Sequence, residues 1–232
     1  MRKLPARTGA DVHLAEAFSL PGCPLCRERS RTEAAYLESI LAESVNDIGF
    51  RQGLDVARGF CGAHCRAVLA ADRRSSGSLG AAILLRATLV ARLRDMEEVH
   101  GSGSWTRARR AGEAARPAAC LACQRVRATD DGVVDGLVQL AEHPAWAEAA
   151  AAAPFCLEHV LLLMNRRAAP AWWTPVEASQ LERLRRIRDL LGGFAHTSSQ
   201  DRRHLRTDEQ TRSVEEAADL LGGWGIGDRP KA

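Results

Sequence analysis

The chain has two lysines, a single tyrosine and little aromatic surface of any kind, 5% of its residues. Few side chains are therefore available to stack on unpaired bases. Basic residues are almost all arginine and are nearly matched by acids, 32 against 29, so the net charge of +3 lacks the concentrated footprint of a nucleic-acid binder. No apolar run reaches the roughly 18 residues of a membrane helix; "AAILLRATLV" at 81–90 is broken by Arg86. The opening "MRKLPARTGADVHLAEAF" is basic but has no apolar core of a secretory signal. A soluble, cytoplasmic protein is expected. A glycine-rich phosphate loop, a G-x-S-x-G nucleophile turn and paired carboxylates in an obvious cleft are also missing. An enzymatic reading has no residues to carry it. No run of alternating β-branched residues competes with helical periodicity, so the fold is expected to be all-α.

Seven cysteines stand out against this background, and six of them fall in motifs. "CPLC" at 23–26 is followed by "GFCGAH" at 59–64, and "CLAC" at 120–123 by "PFCLEH" at 154–159. The CxxC pairs are offset by 97 residues and the CxxH pairs by 95, which reads as an internal duplication. Each copy supplies three Cys and one His: Cys23, Cys26, Cys61 and His64, then Cys120, Cys123, Cys156 and His159. In a reducing cytosol such spacings point to metal ligands rather than disulfides. Cys3His is a common structural zinc set with no position left for a catalytic water. Two zinc ions, one per copy, are the cofactors this donor set suits, and an iron–sulfur cluster is the alternative. Read head to tail, each CxxC is a tight turn and each CxxH opens a helix. A helical hairpin of 30-odd residues then brings the two ends together.

The helical stripes are Leu37, Leu41 and Val45 with Tyr36 and Ile40; then Leu85, Leu89, Leu93 and Met96; then Val133, Leu137 and Leu140; and finally Leu181, Leu184, Leu191 and Phe194. Thr174, Pro175 and Glu177 read as a capping-box start of the last long helix, and Gly192 and Gly193 as its stop. The expected organisation is a first repeat over 1–100, a Gly, Ser and Arg-rich linker over 101–119, a second repeat over 120–196, and a polar tail over 197–232. The tail contains one amphipathic segment, "SVEEAADLLGG", and a frayed end.

Some residues lie outside the motifs. Cys65 follows His64 and has Val160 as its counterpart; it reads as a buried thiol or a redox-responsive one. His100 and His196 read as cations at helix C-termini, with a shared ligand or proton-relay role as the alternative. Asp47 reads as an N-cap, and Glu43 and Asn46, one turn apart on the same helix face, as a binding candidate. Arg107, Arg109, Arg110 and Arg116 form a basic stretch open to an acidic partner or RNA.

"CPLCRERSRTEAAYLESILAESVND" followed by "GFCGAHC" resembles an uncharacterised bacterial and archaeal family of unknown function. Its members carry a CPLC turn, a Tyr-Leu helix ending in Val-Asn-Asp, and a Gly-Phe-Cys-x-x-His motif. The resemblance runs over roughly residues 20 to 100 and through the duplication beyond, where the second copy lacks the Pro after its first Cys and has Pro154 in place of Gly. It implies two metal motifs and no established activity. The expected function is a metal-held helical module that binds another protein. The alternatives are a redox- or metal-responsive protein, and a nucleic-acid binder acting through the Arg-rich linker.

Overall fold

Helix starts are written at four cysteines. Cys23 precedes a helix whose first residue is Pro24, where a fixed φ suits the first turn and no N–H is missed. The Cys23 carbonyl accepts from Arg27 N, and Cys61, Cys120 and Cys156 accept in the same way from the residue four positions on. The computed structural model describes residues 4–75, 78–115, 120–166, 172–198 and 200–222. Among these there is no strand.

The helices are α1 (Gly9–Phe18), α2 (Pro24–Ser39), which runs into a π-helical turn (Ile40–Ser44), α3 (Ile48–Val56), α4 (Gly62–Ser75), α5 (Leu79–His100) and α6 (Ser104–Ala115). They continue with α7 (Leu121–Leu140), α8 (Pro144–Ala152), α9 (Leu157–Met164), α10 (Trp173–His196), a 3-10 segment (Gln200–Leu205) and α11 (Asp208–Gly222). The chain divides into two compact units, one formed by Met1–Ser30 with Asp130–Ala232 and the other by Arg31–Thr129. Both boundaries fall inside helices, α2 and α7. The head-to-tail division at 1–100 and 120–196 is therefore not the one the chain adopts.

In the unit of Arg31–Thr129 the core is Leu37, Ile40, Val45, Leu54, Phe60, Val68 and Leu84, with Cys120 and Ala122. Asp47 caps α3, its carboxylate accepting from Phe50 N at 2.6 Å, while Glu43 and Asn46 are exposed. The face of α5 that enters the core is Ala81, Leu84, Thr88 and Ala91. The expected stripe is not that face, because Leu89, Leu93 and Met96 are 69%, 55% and 70% exposed. The helix is apolar on two sides, and only one of them can meet α3 and α4. The segment expected to be a linker forms α6, which packs on α5. Arg58 fastens it by donating to the carbonyls of Glu113 and Ala114 while pairing with Asp95.

In the other unit Trp146, Phe155, Val134, Leu137 and Val176 are fully buried, and Cys23, Cys26 and Cys156 belong to the same core. Phe18 meets the Trp146 ring edge-on at 5.5 Å. Thr8 and Asp11 form the reciprocal capping box of α1, a helix that no apolar stripe in the sequence marks. Helix α10 begins at Trp173 with Trp172 as N-cap, so Thr174 lies inside the helix and caps nothing. Nor does α10 stop at the glycine pair. A Cβ on Gly193 would meet the flexible end of the Gln210 side chain of α11, with which α10 packs. The amphipathic tail segment falls in α11 as far as Gly222, and "GWGIGDRPKA" and Arg116 lie outside the described residues.

Candidate metal centres

The eight Cys and His residues singled out by the motifs come together in two groups of four, but not in the expected sets. Cys23 and Cys26 meet Cys156 and His159, and Cys120 and Cys123 meet Cys61 and His64. Each CxxC is joined to the other copy's CxxH. The carboxylates show where each CxxH arrives. His64 lies at Glu33, in the middle of α2, and His159 at Asp130, in the middle of α7. The helices that precede the two CxxH motifs, α3 and α8, are nine residues each, about 13 Å, against 16 residues in α2 and 20 in α7.

Within each group the candidate ligand atoms lie within 4.8 Å of one another. In the first, Nδ1 of His159 is 3.0 Å from Cys156 Sγ, 3.3 Å from Cys26 Sγ and 3.6 Å from Cys23 Sγ, and Cys26 and Cys156 are 3.5 Å apart. In the second, Nδ1 of His64 is 3.1, 3.4 and 3.6 Å from the sulfurs of Cys61, Cys123 and Cys120, and Cys61 and Cys123 are 3.8 Å apart. Four donors around one ion at ~2.3 Å for sulfur would stand about 3.8 Å from each other. The groups fit a single tetrahedral ion, and the sulfur separations are too long for disulfides.

The far nitrogen of each imidazole faces a carboxylate: Nε2 of His64 is 3.2 Å from Glu33, and Nε2 of His159 is 3.5 Å from Asp130. Glu33 and Asp130 are both buried and stand 97 residues apart, each ten residues after the first Cys of its motif. A carboxylate facing Nε2 favours the proton on that nitrogen and would leave Nδ1 for an ion; at His64 the pair is close enough for an ion pair but not aligned as a hydrogen bond. The sequence reading missed both residues. Their shared 97-residue offset was a signal in plain view. The start of α2 thus gives Cys26, with Cys23 just before it, to one site and Glu33 to the other, and α7 does the same with Cys123, Cys120 before it, and Asp130.

Among these side chains alone the charges are strongly coupled. Burial opposes a charge on His159, but Asp130 and Cys156 push it up to about 11. His64 goes up to about 10 against the same penalty, through Cys120, Glu33 and Cys61. Burial would raise Cys120, yet His64 and backbone donors hold it down to about 6. Burial and the neighbouring Cys120 push Cys123 up to about 12. Cys156 is driven far down by hydrogen bonds from Cys23 and Cys26. At Cys120 backbone N–H groups of Cys61 and Cys123 contribute to the lowering.

Gly59 makes the approach to Cys61 possible. Its φ is +85°, and a Cβ there would sit 2.4 Å from Thr88. Cys65 is only partly buried and donates weakly to the Phe60 carbonyl at 3.7 Å. Burial, then Cys61 and Cys120, raise its pKa, opposite to the fall expected near a helix start. His100 and His196 lie exposed in the last turns of α5 and α10.

Fold and sites define an all-helical protein with two Cys3His clusters, one wholly and one partly buried, that could hold metal ions. It belongs to the family described as of unknown function, DUF6062, whose model matches residues 10–189. No curated protein and no solved structure matches the chain.

Proposed function

We propose that the protein binds two zinc ions as structural cross-links, and that the helices they hold serve to bind another protein. The observation that carries the first part is the pair of Cys3His groups with ligand atoms within 4.8 Å of one another. Four protein donors close a site, which suits a structural ion and leaves no position for a catalytic water. A span this small suits one ion better than a cluster, whose several irons spread their ligands apart. Elemental analysis of the purified protein, with an absorption spectrum of the same sample, is the test. Two zinc per chain and no visible bands are expected; iron with sulfide would replace this reading with the redox one.

The second part is supported by α5. Its outer positions 79, 82, 86, 89, 93 and 96 follow intervals of three and four, and Leu79, Leu89, Leu93 and Met96 among them are exposed. That alternation is the seam of a two-helix packing, so the occupant proposed is an amphipathic helix of a protein partner. A photoreactive residue at position 93 would identify it: cross-links to a helix of another protein support the reading, and cross-links to a second copy make it self-association. The nucleic-acid reading has less support. Arg107 donates to the His100 carbonyl, Arg109 pairs with Glu113, and Arg110 donates to the Glu98 carbonyl. No helix among the described residues is long and apolar enough to cross a membrane. A reducing, cytoplasmic setting would keep the six motif thiols free to bind.

A further inference from the structure

The two clusters share a donor set but not surroundings. Around Cys23, Cys26, Cys156 and His159 every ligand is buried, and Arg29 lies across the outside of the histidine. Its guanidinium holds Asp130 at 2.7 Å and Glu158 at 2.9 Å, and comes within 3.4 Å of His159 Nε2. The other cluster has Val126 at the position equivalent to Arg29 by the 97-residue offset. There Cys61 and Cys123 are partly exposed, and their sulfurs are 3.8 Å apart.

We propose that the Cys61–His64–Cys120–Cys123 site is the exchangeable one: oxidation of Cys61 and Cys123 to a disulfide expels its ion, while the Arg29-covered site keeps its own. The inference rests on the metal-binding reading above. The oxidant is a peroxide. One thiolate attacks a peroxide oxygen, the O–O bond breaks and the sulfur becomes a sulfenic acid, with one oxygen leaving as water after taking up a proton. The second thiolate attacks that sulfur, forming the S–S bond and releasing the hydroxyl, again as water after protonation. Two electrons pass from the two sulfurs to the peroxide, and the two-plus ion, having lost two of its four donors, goes to solvent. Exposure selects this pair because the peroxide must reach a thiolate, and the sulfurs of the other site are enclosed in a core with Trp146 and Phe155.

The test treats the full-length zinc-loaded protein with hydrogen peroxide in the presence of a chromogenic chelator and maps disulfides by mass spectrometry. One zinc equivalent is expected on the order of ten-fold faster than the second, given what outer contacts are worth to a metal site, with a Cys61–Cys123 disulfide in the fast phase. The same phase and the same disulfide are expected in Cys65→Ser. Release of both equivalents at one rate, or earlier modification of Cys23 and Cys26, would overturn the inference and leave metal binding intact. So would loss of the fast phase in Cys65→Ser, which would move the reactive thiol outside the ligand set. A full-length protein that carries no zinc at all would overturn both readings.

Discussion

At the scale of single residues, cysteines 130 positions apart share a site: Cys26 Sγ lies 3.5 Å from Cys156 Sγ. Cys156→Ser therefore tests the pairing directly. Alkylation of the metal-loaded variant should expose Cys23 and Cys26 while Cys120 and Cys123 stay protected, and the reverse pattern would restore head-to-tail pairing. The imidazoles set a second expectation. With His64 held up to about 10 and His159 up to about 11, both carry a proton at neutral pH when facing thiolates alone, and an ion must displace it from each. A raised pKa means that protons compete harder as pH falls. Zinc affinity, measured by chelator competition at pH 8 and pH 7, should drop at least about ten-fold per site, since each displaced proton contributes a factor of ten per pH unit. Thiols such as Cys123, held up to about 12, add to the drop, so a pH-independent affinity would show that neither the imidazole nor the thiols of a site give up a proton to the ion.

At the scale of elements, α5 separates what a periodic pattern states from what it omits. Leu85, Leu89, Leu93 and Met96 are a correct helical stripe, yet the core takes the side marked by Ala81, Leu84 and Thr88. A helix apolar on both sides carries no internal sign of which side its neighbours use. Leu84→Ala should cost about 2–5 kcal/mol in urea unfolding, and Leu89→Ala within about 0.5 kcal/mol. Equal costs would mean that the outer face is covered in the folded protein. Other elements were readable because their signals are local. Asp47 caps α3 by a bond three residues long, and the stripe of Leu37 and Ile40 enters the core as its spacing implies. The eight candidate ligands were legible for the same reason, as four short motifs. Their partners were not, since either pairing uses the same motifs at the same spacings. What decides between them is where the packed helices deliver each CxxH, at Glu33 and at Asp130, and that placement emerges from packing rather than from local sequence. The start of α10 shows the limit again: Thr174-Pro175-x-Glu177 has the letters of a cap, and Trp173, buried in the core, starts the helix earlier.

At the scale of the whole molecule, the crossed pairing changes what counts as a separable piece. An ion held by Cys23, Cys26, Cys156 and His159 would tie the beginning of the chain to its second half, closing a loop of more than a hundred residues. One held by Cys61, His64, Cys120 and Cys123 would lie wholly inside Arg31–Thr129. Loop-closure entropy grows only logarithmically with length, so the longer closure is not much more costly than the shorter. What differs is the part that can stand alone. A fragment spanning 31–129 contains one full ligand set, the carboxylate of Glu33 and its own core. It should bind a single ion, and cobalt in its place should give the intense thiolate-to-metal absorption of a tetrahedral Cys3His site. A fragment spanning 1–100, which head-to-tail pairing would make complete, holds two ligands from each group and should give no such spectrum. Structural zinc contributes roughly 10–16 kcal/mol of apparent binding free energy in small peptides. The 31–129 fragment should accordingly unfold cooperatively with metal and lose that cooperativity on chelation. If the 1–100 fragment gives the tetrahedral cobalt spectrum and 31–129 does not, the long helices do not carry their cysteines and carboxylates to different sites, and the crossed arrangement fails.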